Sequence, residues 1–122
     1  MKFKDVVETP AQFNAWVKSQ KAVSAKPATP LEAAGLKVFL SNTCVNCHAI
    51  AGTSAGGAVG PNLTHLASRW AIAGGAAPLT EQDLEAWIHD PTTYKPGVVM
   101  PGYPFLSKND LHALASYLIS LK

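Results

Sequence analysis

The sequence predicts an all-α domain of four to five short helices joined by long irregular loops. Four segments open on a Thr or Ser with Gln, Glu or Asp three residues on, the signature of a capped helix start. No stretch alternates apolar and polar residues as a strand does. Gly- and Pro-rich stretches separate the periodic segments and punctuate them as loops.

The first start signal is Thr9-Pro10 with Gln12, opening a short helix with Phe13, Trp16 and Val17 on one face. Residues 20–29 are polar and Ala-rich, contain Lys26-Pro27, and read as a linker; compact folding is expected to begin after it. Thr29-Pro30-Leu31-Glu32 supplies an N-cap, a proline at N1 and an acid at N3. The helix that follows presents Leu36, Phe39 and Leu40 and runs to about Ser41.

From Gly52 to Pro61 there is too little side chain to pack as regular structure. Asn62 can cap a helix carrying Leu63, Leu66, Ala67 and Trp70, ended by Gly74-Gly75. Thr80 caps the next, with Asp83 at N3, Leu79 and Leu84 as a hydrophobic staple, and a face of Leu84, Trp87 and Ile88. Pro91 stops it. Ser107 and Asp110 repeat the grammar, with Leu106 and Leu111 as staple and Leu114, Ala115, Leu118 and Leu121 continuing the stripe.

A chain of 122 residues suits one compact domain with a thin core. Charged residues make up 15% and the net charge is +2, with Arg69 the sole arginine, too dilute a basic field for nucleic-acid binding. No run of eighteen apolar residues offers a membrane span, so the fragment is not expected to insert into a bilayer. Met1 to Asp5 lacks the apolar core of a signal peptide. The expectation is a processed form or a fragment excised from a longer protein, monomeric when isolated.

Cys44-Val45-Asn46-Cys47-His48 carries the chemistry. Two thiols three residues apart can add across the vinyl groups of one haem, and the adjacent His48 then reaches its iron, so one turn fixes ring, tether and ligand. A thioredoxin-like redox pair is the alternative, but that pair follows a strand in an α/β fold. A zinc site needs four ligands, and His65, His89 and His112 have no second Cys pair to join. They read as surface or partly buried histidines.

Beyond the starting residue, Met100 is the single methionine. It lies in Lys95-Pro96-Gly97-Val98-Val99-Met100-Pro101-Gly102-Tyr103, a loop whose prolines and glycines can hold a thioether at a fixed point. The alternative is a methionine filling a core gap, a role usually supplied from a helix or strand face. A His48/Met100 pair would favour ferrous iron and leave no open axial position. Single-electron transfer, not catalysis, is the expected work.

With these residues the chain from Pro30 to Lys122 resembles the class I cytochrome c family, an all-α fold whose first and last helices cross around one haem c. Gly35 and Phe39 match the family's first-helix pair and Tyr117 its terminal-helix aromatic. Gly60-Pro61 matches the Gly-Pro after the haem motif, where the resemblance implies that the Pro61 carbonyl accepts a hydrogen bond from Nδ1 of His48; an ordinary loop turn is the other reading. Leu63 would then lie near the ring. Arg69, Trp70 and Tyr94 are candidate propionate donors, Trp87 a packing residue, and Lys95 part of a docking surface.

Residues 6–16, Val-Val-Glu-Thr-Pro-Ala-Gln-Phe-Asn-Ala-Trp, resemble the segment that closes the copper-binding domain of cytochrome c oxidase subunit II. The resemblance implies that residues 1–19 are the end of that preceding domain, 20–29 a linker, and 30–122 the cytochrome domain. The partners would be the copper-binding domain of the same subunit, other oxidase subunits and an upstream respiratory donor, on the periplasmic face of a bacterial membrane. Two alternatives stand beside it: a free periplasmic carrier or the electron-transfer domain of another dehydrogenase, and a ligand-sensing haem from which Met100 dissociates.

Overall fold

The computed structural model describes residues 4–122, so the reading of Met1–Asp5 and the start of the 1–19 segment extend outside it. The described chain forms helices α1 (Pro10–Gln20), α2 (Pro30–Ser41), a single turn α3 (Cys44–Cys47), α4 (Glu81–His89) and α5 (Lys108–Ser120). A two-stranded antiparallel hairpin, β1 (Ala71–Ile72) with β2 (Ala77–Pro78), is a small addition to the expected all-α architecture.

The caps form where the sequence places them. Thr9 and Gln12 make a complete capping box, while Thr29, Thr80 and Ser107 each accept a hydrogen bond from the backbone N–H three residues on. Glu32 departs from the full box: its carboxylate accepts from the N–H of Ala28, one residue before the cap. The orphan donor satisfied is different, and the anchoring of the helix entry is the same.

The core is the crossing of α2 on α5. Gly35 lies against the backbone of Ala113, where an added Cβ would stand 2.6 Å from the Cβ of Tyr117. Without a side chain at Gly35 the helices approach closely enough for Phe39, Leu114 and Tyr117 to be fully buried between them. The C-terminus is tied in turn to the middle of the chain by the N–H of Ala67 donating to Leu121 at 2.7 Å.

The expected helix from Asn62 to Gly74 does not form. Asn62 Oδ1 accepts from both the N–H and the hydroxyl of Thr64, at 2.9 and 2.6 Å, a local turn that competes with helical pairing. One 3₁₀ turn, Leu66–Ser68, is all that follows before Arg69 turns extended. Gly74 and Gly75, read as a helix stop, instead form the hairpin tip with Ala73, all three at positive φ.

Residues 20–29 do not hang free. Ser24 donates from its N–H and its hydroxyl to the carbonyl of Ala51, and Nε2 of His65 bonds the carbonyl of Ala22. By contrast α1 buries none of its residues; Phe13 and Trp16 stack on each other at 5.8 Å with about half of each exposed. No helix among the described residues is long and apolar enough to cross a membrane.

Candidate haem-binding site

Helix α2 delivers the chain to the motif. After Asn42 the backbone makes the single turn α3, closed by the N–H of His48 donating to Cys44 at 2.9 Å. Both thiols and the imidazole thereby project from one turn into a cavity of about 490 Å³ between α2, α3, the hairpin, α4 and the Lys95–Tyr103 loop. That volume falls in the range of small-molecule and cofactor sites.

The His48 ring is held from one side. Its Nδ1 lies 2.7 Å from the carbonyl oxygen of Pro61. A carbonyl can only accept, so Nδ1 carries a proton and, in the neutral ring, Nε2 keeps its lone pair, the tautomer a metal ion requires. Gly60 makes this approach possible, since a Cβ there would fall 2.6 Å from Cε1 and 2.8 Å from Nδ1 of the ring. The N–H of Gly60 donates to Cys47 at 2.7 Å, so ring, motif and loop form one closed unit.

The facing wall comes from the loop after α4. The N–H of Tyr103 donates to the carbonyls of Ile88 and His89, which pins the loop to the end of α4. Met100, half-buried, lines the cavity from this loop. The Tyr103 hydroxyl bonds that of Thr43 at 2.6 Å, linking the methionine loop to the start of α3.

Burial raises the Cys44 thiol above its ordinary value, the largest influence on it, although the Tyr103 hydroxyl pulls the other way. The motif follows helix α2 and not a strand of an α/β fold, which is the setting a thioredoxin-like pair requires.

Pro61 and Leu63 line the cavity as well, and Arg69 reaches its edge with Nη2 donating to the carbonyl of Asn62 at 2.6 Å. Trp70 and Tyr94 are not among the lining residues. Trp70 is half exposed just before β1, and the Tyr94 hydroxyl donates to Asp83 at 3.0 Å while its ring packs edge-on against Trp87. Ile72, Leu84, Ile88 and Leu118 complete the apolar wall. The sequence marks Leu84, Ile88 and Leu118 only as apolar helix-face residues and does not single out Ile72, since nothing local distinguishes lining a cavity from filling one.

An all-α scaffold whose CxxCH turn opens on an apolar cavity, with a methionine in a second wall, defines a c-type cytochrome domain. The sequence model of the cytochrome c family matches residues 32–122, and the chain belongs to that family. Its place there is that of an electron carrier, not of an enzyme.

The chain is 42% identical over its whole length to cytochrome c oxidase subunit 2 of Alkalihalophilus pseudofirmus and 31% identical to that of Bacillus subtilis. In both cases it spans 35% of the relative's length. Among solved structures, the c-type cytochrome SorU of Sinorhizobium meliloti shares the fold, with a TM-score of 0.54 over 75% of this chain and 90% of that one, at 24% identity.

Proposed function

We propose that the domain transfers single electrons through one covalent haem c, linked to Cys44 and Cys47, with His48 and Met100 as axial ligands. The observation that carries this reading is the convergence of both thiols, the free Nε2 of His48 and the Met100 side chain on one apolar cavity. Bound there, haem supplies a one-electron ferric–ferrous couple, and a neutral thioether favours the ferrous form. The chain's own parts then have distinct tasks. Pro61 orients His48 and strengthens its donation, Leu63 packs on the ring, and the apolar wall excludes water. Arg69, at the cavity edge, is the propionate donor; Trp70 and Tyr94 stand away from it.

The electron passes, in this reading, from a respiratory donor to the dinuclear copper centre of a cytochrome c oxidase subunit II on the periplasmic face of a bacterial membrane. Residues 1–19 close that copper-binding domain and 20–29 lead into the cytochrome domain at 30–122. Support comes from the extent of similarity. The family match begins at residue 32, whereas the likeness to the oxidase subunits runs over all 122 residues.

Absorption and magnetic-resonance spectra of the holoprotein test the ligand pair. Low-spin iron is expected in both oxidation states, with Met100→Ala opening the reduced protein to rapid carbon monoxide binding. Rapid binding by the unaltered protein would favour a ligand-sensing haem. The upstream coding sequence tests the parent: two apolar spans and a copper motif are expected, and their absence would leave a carrier of another kind.

A further inference from the structure

On the side of the molecule formed by α4 and α5, three side chains meet that the haem site does not use. Glu81 and Glu85 stand one turn apart on α4, and His112 reaches them from α5. Nδ1 of His112 lies 3.0 Å from Oε1 of Glu85 and 3.3 Å from Oε1 of Glu81. The three ligand atoms all fall within 4.8 Å of one another.

The arrangement is one donor short. Nδ1 carries at most one proton, and the bond to Glu85 uses it. Oε1 of Glu81 is left inaccessible to solvent with no hydrogen-bond partner. A glutamate in the first turn of a helix is favourable in itself. Its Oε1 faces the His112 imidazole at 3.3 Å, which brings it beside a second carboxylate four residues on, and like charges at that spacing repel. A cation between the three atoms satisfies every one of them.

We propose that Glu81, Glu85 and His112 form a binding site for a divalent transition-metal ion of the zinc class, which fastens α4 to α5. Bonds from zinc to nitrogen and oxygen are about 2.0–2.1 Å, so the edges of a tetrahedron around it are about 3.3 Å. The two observed distances from Nδ1 are close to such edges. Calcium and magnesium are poorer fits, because they require more oxygen ligands and no imidazole. His112 is half exposed, which leaves the fourth position open to water. The sequence hides this site, since the histidine and the two glutamates lie on helices that only the fold brings together.

The test uses the haem-loaded protein, stripped of loose metal and titrated with zinc chloride by calorimetry and by thermal unfolding. Binding should saturate at one equivalent and raise the unfolding midpoint. His112→Ala and the shape-conserving Glu85→Gln should each weaken it at least about tenfold. His89→Ala, a control for casual binding to surface histidines, should leave it unchanged. Circular dichroism and the haem spectrum report that each variant is folded. One-equivalent binding that survives both His112→Ala and Glu85→Gln, or no saturation with zinc in the millimolar range, overturns the site.

Discussion

Gly60 and His48 are built against each other: the glycine presents bare backbone to the imidazole, and any β-carbon there would stand 2.6 Å from the ring's Cε1. Neither partner has room to yield. The ring is bonded to Pro61, and the N–H of Gly60 is bonded to Cys47. Gly60→Ala should therefore turn the ring off the Pro61 carbonyl, weaken its donation to iron and cost about 1–3 kcal/mol through overpacking. Spectra of the ferric holoprotein and urea unfolding measure the two effects. An unchanged spectrum with unchanged stability would show that the contact does not position the ligand.

Gly35 should be at least as sensitive, and for stability alone. The groups facing it are the backbone of Ala113 and the Cβ of Tyr117, neither of which can swing aside as a side-chain tip does. Gly35→Ala should separate α2 from α5 and lower stability by about 3 kcal/mol in chemical unfolding. The higher helix propensity of alanine, about 1 kcal/mol in its favour, is the opposing effect and should lose.

Asp90 predicts a pH effect. Its carboxyl is held below the ordinary aspartate value, first by the Thr92 hydroxyl at 2.6 Å and then by the Thr92 N–H at 3.0 Å. The folded state thus titrates lower than the unfolded chain. The resulting stabilisation is complete above the ordinary aspartate value and disappears as pH falls through the folded one. Thr92→Val keeps the N–H and removes the hydroxyl, so the Asp90 titration should move up part of the way. Acid unfolding should also begin at a higher pH. Carbon-13 titration of the Asp90 carboxyl reads the first shift directly.

Docking should respond weakly to salt. Val59 and Val99 line the cavity and are 85% and 98% exposed, while Arg69 and Lys95 are the charged lining residues. An apolar rim with two positive groups gives little long-range steering. Electron-transfer rates with a soluble partner should change less than about threefold between low and physiological ionic strength. A steeper fall would mean that lysines elsewhere on the surface guide the encounter.

The helix starts were legible because capping is local: Thr9, Thr29, Thr80 and Ser107 each meet a partner three residues away. The segment after Asn62 misled for the opposite reason. Its apolar spacing suits a helix, but Thr64 engages Asn62 and also receives the N–H of Ala51, a contact the local sequence cannot display. The same division holds at the site. Cys44, Cys47, His48 and Met100 stand out because their chemistry is rare in this chain. The wall around them, Ile72 from the hairpin and Leu84 and Ile88 from α4, is ordinary hydrophobic sequence until the fold assembles it. His112 was readable only as a surface histidine, because its partners sit 27 and 31 residues earlier in the chain.

Rapid photoreduction of the haem in the proposed subunit II parent, with absorbance followed at both the haem and the copper centre, tests the proposed electron path most directly. If haem and copper belong to one chain as proposed, haem reoxidation and copper reduction will share one rate, independent of protein concentration. A rate that rises in proportion to concentration, or a haem that stays reduced while the copper stays oxidised, would contradict it.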